Sequence, residues 1–532
     1  MMRRMQWMNY RNWYNRVLDG KPALSIYAPN SGIEVMSVND WWSDKWDPMR
    51  YGQEYDFSKP FFIQFGELYK NVPRPNMGNS LENVDCDYCN DAWSSKNCYL
   101  STTVGFSEDC YYSTTIIHSK NIFNSYWLID CERCYGCIDS DKCNNCLFCQ
   151  YASGCIDSTF LSDCRNCLNC IACVGLRNAK YCIFNKQYSK EDYQKFVVEN
   201  LNGSYIKVAE LAKKFEEFKL TKPVRFARTT HSTNVSGNNI FGSKNAYHCF
   251  DLAVQVENVK YVFYAGLGLK DSYDGYNIGS VSELLYECLD TGTQSGNIKF
   301  SSFNFYSSFN NQYCDSCSGS SDLFGCVGLK KKQYCILNKQ YTKKEYETLV
   351  PQIIEHMNSM PYVDKKGRVY KYGEFFPAEL SPFAYNETVA QQHYSMTKEQ
   401  AEQAGYKWRD FQKRDYKVSL EIKNLSDNIK DIKNNITDEV IGCAHNGECQ
   451  ENCSGAFKIT KKELDFHRLI NLPLPRLCPN CRYAELFEKR SPYKLWHRKC
   501  MNKGCNNEFE TSYAPDRPEI VYCEQCYQKE IY

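Results

Sequence analysis

Four cysteines near the end of the chain carry its clearest chemistry. Cys500 and Cys505 form C-x4-C, seventeen residues follow, and Cys523 and Cys526 form C-x2-C. Thiolates paired on two separate knuckles can close a tetrahedral metal site, and this spacing is close to that of a zinc ribbon. Upstream, Cys449 and Cys453 face Cys478 and Cys481 across ENCSGAFKITKKELDFHRLINLPLPRLCPNCR, a second candidate site. Its first knuckle is C-x3-C, and Cys443 or His445 could replace Cys449 as a ligand. Two structural zinc ions are the cofactor expectation. Between the sites, KRSPYKLWHRKCMNK gathers Lys489, Arg490, Lys494, Arg498, Lys499 and Lys503 around Trp496 and His497 with no acid. Basic and aromatic residues interleaved in this way can hold phosphate and stack bases, although a solvated face beside a metal site explains them as well.

The cysteines of the first half invite a different reading. CERCYGC at 131–137 and CRNCLNCIAC at 164–173 have the C-x2-C-x2-C spacing of an iron–sulfur protein. Yet all sixteen cysteines from Cys86 to Cys182 share one register when the chain is stepped in threes. Chance would give that about once in ten million, roughly (1/3)^15, when counts are matched against a template. The period generates C-x2-C wherever neighbouring steps are both cysteine, and the fourth ferredoxin ligand with its following proline is missing.

A period of three is neither strand nor helix. The units are twelve residues long, as CYLSTTVGFSED at 98–109 followed by CYYSTTIIHSKN at 110–121 shows. A narrow coil satisfies both periods: four side chains per turn point inward, and only Cys, Ser, Ala and an occasional Val, Ile or Leu fit. Asn97, Asp109, Asn121, Asn145, Asp157 and Asn169 close successive units and tolerate left-handed corners. The expectation is a mainly β protein in which residues 80–187 form a narrow β-solenoid of about nine coils, stacked at roughly 4.8 Å. Its thiols are buried filler, although Cys137 with Cys143, or Cys149 with Cys155, could bridge under oxidation. The coil resembles the twelve-residue solenoid of beetle antifreeze proteins, which also turn Cys, Ser and Ala inward at every third position. The likeness is one of geometry, because paired threonines here are limited to Thr102 with Thr103 and Thr114 with Thr115.

The solenoid ends in CVGLRNAKYCIFNKQYSKEDY at 173–193, and CVGLKKKQYCILNKQYTKKEY returns at 326–346. In both copies a hydroxyl precedes an acid by three, Ser189 with Asp192 and Thr342 with Glu345, which predicts a capped helix covering the open end. Residues 236–341 therefore read as a second, tandem solenoid. Its register slips by one at several places, which predicts bulged coils of uneven length. The remaining divisions are a ribbon-like module and cap at 1–79, a helical connector at 188–235, a helix and linker at 342–442, and tandem zinc ribbons at 443–532. Within the connector, Leu211, Phe215 and Phe218 share a helical face. In the linker Val418, Ile422, Leu425, Ile429, Ile432 and Ile436 hint at an amphipathic helix or short coiled coil. At the start, SIYAPNSGIEVMSVNDWW at 25–42 aligns with TSYAPDRPEIVYCEQCYQ at 511–528. Ser37 and Asp40 then stand where Cys523 and Cys526 do, as in a metal-free ribbon relic. The neighbouring WWSDKWDPMRYGQEYDFSKPFF reads as core or capping surface.

WWSDKWDP, the cysteine repeats, CVGL…YC…NKQY, GEFFPAELSPFAYNET and the terminal ribbons together resemble, over nearly the whole chain, an uncharacterised family of cysteine-rich proteins from candidate-phyla bacteria. The stretch through CPNCR resembles a family of zinc ribbons of unknown function. Neither resemblance implies an activity.

The 532 residues are 43% hydrophobic and 24% charged with a net charge of +1, which gives no global pull toward nucleic acid or anionic membrane. MMRRMQWMNYRNWYNRV lacks the apolar run of a signal peptide, so the expectation is cytoplasmic, with no membrane partner and 31 cysteines held as thiols or metal ligands. No H-E-x-x-H, G-x-S-x-G or phosphate loop occurs, and GLGLKD at 266 lacks a third glycine. Asp130, Asp139 and Asp157, the carboxylates a solenoid hydrolase would need, fall at different positions in their coils. The functional expectation is a non-catalytic scaffold or binding protein whose solenoids and ribbons contact a protein or ribonucleoprotein. RNA binding through the basic ribbon is the alternative and a carbohydrate-active enzyme the third reading. A small-molecule substrate is not indicated, and self-association is open.

Overall fold

The computed structural model describes residues 1–9, 11–86, 88–411, 416–449 and 452–531. The chain is strand-rich, and its strands pair mostly in parallel. In the first half each strand bonds to the one twelve residues later, Asn90 with Thr102, Thr102 with Thr114, Thr114 with Tyr126 and Tyr126 with Ile138. A second face repeats the offset through Glu108, Lys120 and Glu132. Strands Thr159–Ser162, Leu168–Val174 and Lys180–Ile183 continue it.

The backbone explains the period of three. Asn97, Leu100, Thr103, Phe106 and Asp109 all lie in the left-handed region, with φ of 55°, 45°, 55°, 49° and 55°. The chain kinks at every third residue, four times per unit, and the next residue in each case, Cys98, Ser101, Val104, Ser107 and Cys110, is buried. The single Asn or Asp closure read from the sequence is thus one corner of four. A left-handed residue other than glycine costs about 1–2 kcal/mol. Offsetting this, backbone groups bond to both neighbouring units, Thr102 N–H to the Ser113 carbonyl at 3.0 Å and Asp109 N–H to the Lys96 carbonyl at 3.0 Å.

Interior hydroxyls and thiols make the same bonds. Ser101 Oγ donates to the carbonyls of Tyr99 and Cys110, both at 3.1 Å. Cys137 Sγ does so to Tyr135 at 3.6 Å and Cys146 at 3.2 Å. In turn Ser113 N–H donates to Ser101 Oγ at 3.1 Å and Cys149 N–H to Cys137 Sγ at 3.4 Å. The column Ser101, Ser113, Ser125, Cys137, Cys149 therefore changes atom type while keeping its bonding pattern. All twenty-two cysteines that precede Cys443 are buried and free.

Each half ends as the capping signature predicts. Ser189 accepts from Asp192 N–H at the start of helix Lys190–Asn200. Thr342 and Glu345 exchange both bonds of a capping box on helix Lys343–Ser359. Helix Tyr205–Lys219 lays Phe215 on Phe160 and Phe218 on Phe184, with ring centroids 5.8 and 5.3 Å apart.

In the second half the offset is uneven. It is eleven from Thr229 to Ile240, twelve from Gly237 to Cys249, thirteen from Phe263 to Tyr276 and on to Leu289, and twelve again from Ser321 to Gln333. Gly266, Gly279 and Gly292 mark the thirteen-residue spacing. A Cβ on Gly279 would lie 2.2 Å from the Gly266 carbonyl oxygen, so only glycine permits that approach.

The two stacks touch along one corner column of the first. Thr115, Trp127 and Asp139 stand there at left-handed positions. Thr115 Oγ1 lies 2.7 Å from the Tyr264 hydroxyl, and Trp127 packs edge-on to Tyr264 at 5.0 Å. Trp127 is the bulky corner of this column, and it faces the neighbouring stack.

The N-terminal residues close the second stack. Trp41, Trp42 and Trp46 surround Lys330 Nζ at 4.9, 5.3 and 5.1 Å from their ring centroids. Helix Phe61–Asn71 packs Phe61 on Tyr313 and Phe324, while Phe65 stacks on Phe376 of the GEFFPAEL segment at 4.7 Å. The linker departs from expectation. Residues 418–437 contain three 3-10 turns, Ile422–Asn424, Ile429–Asp431 and Asn434–Thr437, in place of an amphipathic helix. Asn428 accepts from Lys430 N–H at 3.0 Å, a local bond that competes with helix. The apolar spacing still serves, because Leu425, Ile429, Ile432 and Ile436 are buried with Ile441 and Leu464. Among the described residues no helix is long and apolar enough to cross a membrane.

Candidate metal centres

The first cluster is assembled from a hairpin and a helix start. Ile441–Gly442 pairs antiparallel with Ala456–Phe457, and Cys443 and Cys453 lie in the connection between those strands. Cys478 caps helix Pro479–Glu488, and Cys481 lies in its first turn. Proline at the first helical position suits the turn, and the helix N-terminus favours thiolate. The ligand atoms of Cys443, Cys453, Cys478 and Cys481 all lie within 4.8 Å of one another. The Cys478–Cys481, Cys453–Cys478 and Cys443–Cys481 sulfurs are 3.5, 3.9 and 4.0 Å apart. Four thiolates about 2.3 Å from a tetrahedral zinc would be about 3.8 Å apart, so the spacing suits a metal. Cys478 N–H donates to Cys443 Sγ at 3.3 Å and Gly455 N–H to Cys453 Sγ at 3.4 Å, bonds that stabilise negative sulfur. Hydrogen bonds from the Cys443 and Cys481 thiols drive Cys478 well below its ordinary pKa, and the bonds of Cys481 with Cys443 and Cys478 push Cys481 up. Cys443 thus joins the set with Cys453. Cys449 lies beside it, 3.6 Å from Cys481 and grouped with His445.

In the second cluster the hairpin Trp496–Lys499 with Glu508–Thr511 leads into Cys500 and Cys505. Strand Val521–Tyr522, parallel to Val224–Arg225, leads into Cys523, and helix Glu524–Ile531 carries Cys526. These four also lie within 4.8 Å of one another, with Cys505 and Cys523 3.8 Å apart. Cys523 N–H donates to Cys500 Sγ at 3.3 Å. Two four-cysteine clusters could therefore hold metal ions. The groups of three or more such ligands among the described residues all belong to this C-terminal region.

The N-terminal module repeats the second cluster's framework without thiols. Val35–Met36 pairs in parallel with Arg74–Pro75, as Val521–Tyr522 does with Val224–Arg225, and helix Val38–Trp42 follows. Ser37 Oγ donates to Asp40 Oδ2 at 2.9 Å and Lys45 Nζ lies 2.6 Å from Asp40 Oδ1, so hydrogen bonds hold the corner that Cys523 and Cys526 form at the other end. Both modules sit on a CVGL turn. A Cβ on Gly328 would meet Trp41 at 2.9 Å, and one on Gly175 would meet Ile531 at 3.0 Å. Tyr527 donates to Asp163, which also pairs with Arg177 at 3.2 Å.

The basic segment is only partly a surface. Arg490, read from sequence as a nucleic-acid contact, is buried, with Nε 3.3 Å from Asp139 Oδ1 and its Nη2 paired to Asp251. Its guanidinium also lies 4.3 Å over Tyr126. The correction has a plain cause: two carboxylates, one from each stack, need a cation. Asp139, one of three acids a hydrolase reading would use, is thereby occupied. Lys489, Lys494, Lys499 and Lys503 are exposed. Lys494 Nζ lies 4.9 Å over Trp496, and Arg498 donates to the Ala514 carbonyl at 3.1 Å. The paired strand brings the acid that the segment lacks, with Glu508 3.0 Å from Lys499 and 2.8 Å from His497. Sequence reasoning gave no role to Asp251, Tyr493 or Asp163, since the contacts that join them across the fold, Asp251 with Arg490 and Tyr493 and Asp163 with Tyr527, span hundreds of residues.

No protein-family model matches the chain, and no curated protein matches it. A solved structure from Desulfovibrio desulfuricans G20, named "putative acetyltransferase", is similar at 11% identity over 55% of this chain and 84% of that one, with a TM-score of 0.12. Superposition that poor carries neither fold nor activity across.

Proposed function

We propose that the chain is a non-catalytic scaffold in which zinc ribbons clamp two tandem narrow β-solenoids side by side and leave their outer faces to a macromolecular partner. The observation that carries this reading is Arg490, which follows the first cluster's helix and bridges Asp139 and Asp251 of the two stacks. The twelve-residue offset, the four kinks per unit and the buried Cys and Ser columns support a solenoid path. All-thiolate, four-coordinate spacing favours zinc, and so many free thiols favour a reducing cytoplasm. The motifs shared with the cysteine-rich candidate-phyla family meet in space, WWSDKWDP on CVGLK and GEFFPAEL on helix Phe61–Asn71, which supports membership and the module boundaries.

On the outer face of the first stack Lys96, Glu108 and Lys120 form an ion ladder, at 3.9 and 2.8 Å, beside stacked Phe106 and His118. Balanced charge with an aromatic platform suits a protein surface better than a polyanion. Extracting zinc with a chelator under reducing conditions tests the clamp. The radius of gyration should rise, and the linkers near 220–232 and 416–440 should become protease-sensitive, while the strand signal in circular dichroism persists. Unchanged scattering and protection in the metal-free protein would sink the reading.

The second reading is RNA binding, favoured by the Lys494–Trp496 stack and exposed Lys489 and Lys503. Its test is titration with single-stranded RNA at several salt concentrations. Affinity that falls with salt, and falls again when Lys494, Arg498 and Lys499 are neutralised, would establish it. Salt-independent or absent binding removes it.

A further inference from the structure

Beside the first four-cysteine cluster stands a second set of ligands. The donor atoms of His445, Cys449 and Cys481 lie within 4.8 Å of one another, and Cys481 belongs to both sets. The loop that brings them together, CAHNGEC, bends through two successive left-handed residues, Asn446 with φ 49° and Gly447 with φ 76°. Asn446 N–H donates to the Cys443 carbonyl at 2.9 Å and Glu448 N–H to the His445 carbonyl at 2.8 Å, so the bend is fixed by its own backbone.

We propose that this corner is a dinuclear site, in which His445, Cys449 and Cys481 bind a second divalent, thiophilic cation and the Cys481 thiolate bridges it to the ion held with Cys443, Cys453 and Cys478. The inference rests on the reading that the four-cysteine cluster holds zinc.

Two observations carry it. Cys449 Sγ is 3.6 Å from Cys481 Sγ, matching the 3.5 Å between Cys478 and Cys481 inside the first cluster. That is the edge of a tetrahedron around one metal, in a direction the first ion does not use. His445 Nδ1 is buried and has no hydrogen-bond partner among the described residues. A buried imidazole nitrogen left bare is costly, and a metal is the partner that imidazole and thiolate share.

Its coordination differs from that of the two four-cysteine clusters. Three protein donors leave one position, which water would fill. A site with an open position exchanges its metal faster than a closed one, so this ion should be the most labile in the molecule.

The experiment measures zinc per chain on the full, reduced protein by elemental analysis, together with the Cys449→Ser and His445→Ala variants. Three zinc per chain are expected for the parent and two for each variant, with unchanged circular dichroism. A cobalt(II) titration provides the second readout: the third equivalent should bind more weakly than the first two and disappear in Cys449→Ser. Two zinc in the parent and two in both variants would overturn the second ion while leaving the four-cysteine clusters intact. Fewer than two in the parent would overturn that underlying reading and this one together.

Discussion

Arg490 Nε lies 3.3 Å from Asp139 Oδ1, across 351 residues of sequence, and the same guanidinium pairs with Asp251 of the second stack. The pair is desolvated, and burial lifts the Asp139 carboxyl to about 6 even with Arg490 against it. Arg490→Ala leaves two buried carboxylates without their cation and should cost about 3–5 kcal/mol in urea unfolding. The sign of its pH dependence follows from the raised carboxyl: protonation removes the uncompensated charge, so the penalty should shrink as pH falls from 7.5 toward 5. A penalty below 1 kcal/mol, or one that grows on acidification, would count against the bridge.

His467 offers a second pH test. It packs edge-on to Tyr135 at 5.0 Å, and burial, with Arg482 nearby, holds its imidazole down at about 3. The unfolded value is about 6.5, so folding favours the neutral ring. Its contribution is complete above pH 6.5 and is lost as pH falls toward 3, at about 1.4 kcal/mol per unit. Between pH 7.5 and 5 the stability of the parent relative to His467→Leu should fall by about 2 kcal/mol. A pH-independent difference would show that His467 titrates as it does in the unfolded chain.

The interior columns predict a size rule. Cys137→Ser should change stability by less than about 1 kcal/mol, because Ser113 and Ser125 occupy the same column and donate in the same directions. Cys137→Phe cannot keep a rotamer in that space and should cost about 1–3 kcal/mol or prevent folding. Thermal unfolding of the two variants decides it, and equal tolerance of Phe and Ser would mean a wider interior.

The period of three was legible because inward positions accept so few residue types. The four kinks per unit were not, because left-handed corners in this chain include Leu100, Phe106 and Trp127 as well as Asn and Asp. Those bulky corners are explained by what packs on them, such as Tyr264 against Trp127, and no local signal reports that. The clustered cysteines were legible as candidates, but spacing alone could not rank Cys443 against Cys449: both sulfurs come within 4.0 Å of Cys481, and it is Cys443 that groups with Cys453, Cys478 and Cys481 while Cys449 groups with His445 and Cys481. Arg490 looked like its basic neighbours because charge counting sees no partner so distant in sequence. In residues 418–436 the apolar spacing was real, but it is taken up by separate 3-10 turns, one of them opened by the Asn428 side chain accepting from Lys430 N–H.

Lys330 tests the cap on the second stack. Lys330→Met keeps the stem against Trp41, Trp42 and Trp46 but removes the cation, and should cost about 1–2 kcal/mol with a shift in tryptophan emission. No change in emission would place the three rings elsewhere in solution.

Native thiol accessibility is the most direct test of the central claim. The folded, reduced protein is stripped of metal and alkylated, and the labelled cysteines are mapped by mass spectrometry before and after denaturant. The account predicts prompt labelling confined to the nine cysteines from Cys443 to Cys526, with the twenty-two from Cys86 to Cys335 protected until unfolding. Rapid native labelling of Cys131 to Cys173, or protection there that depends on bound metal, would contradict it.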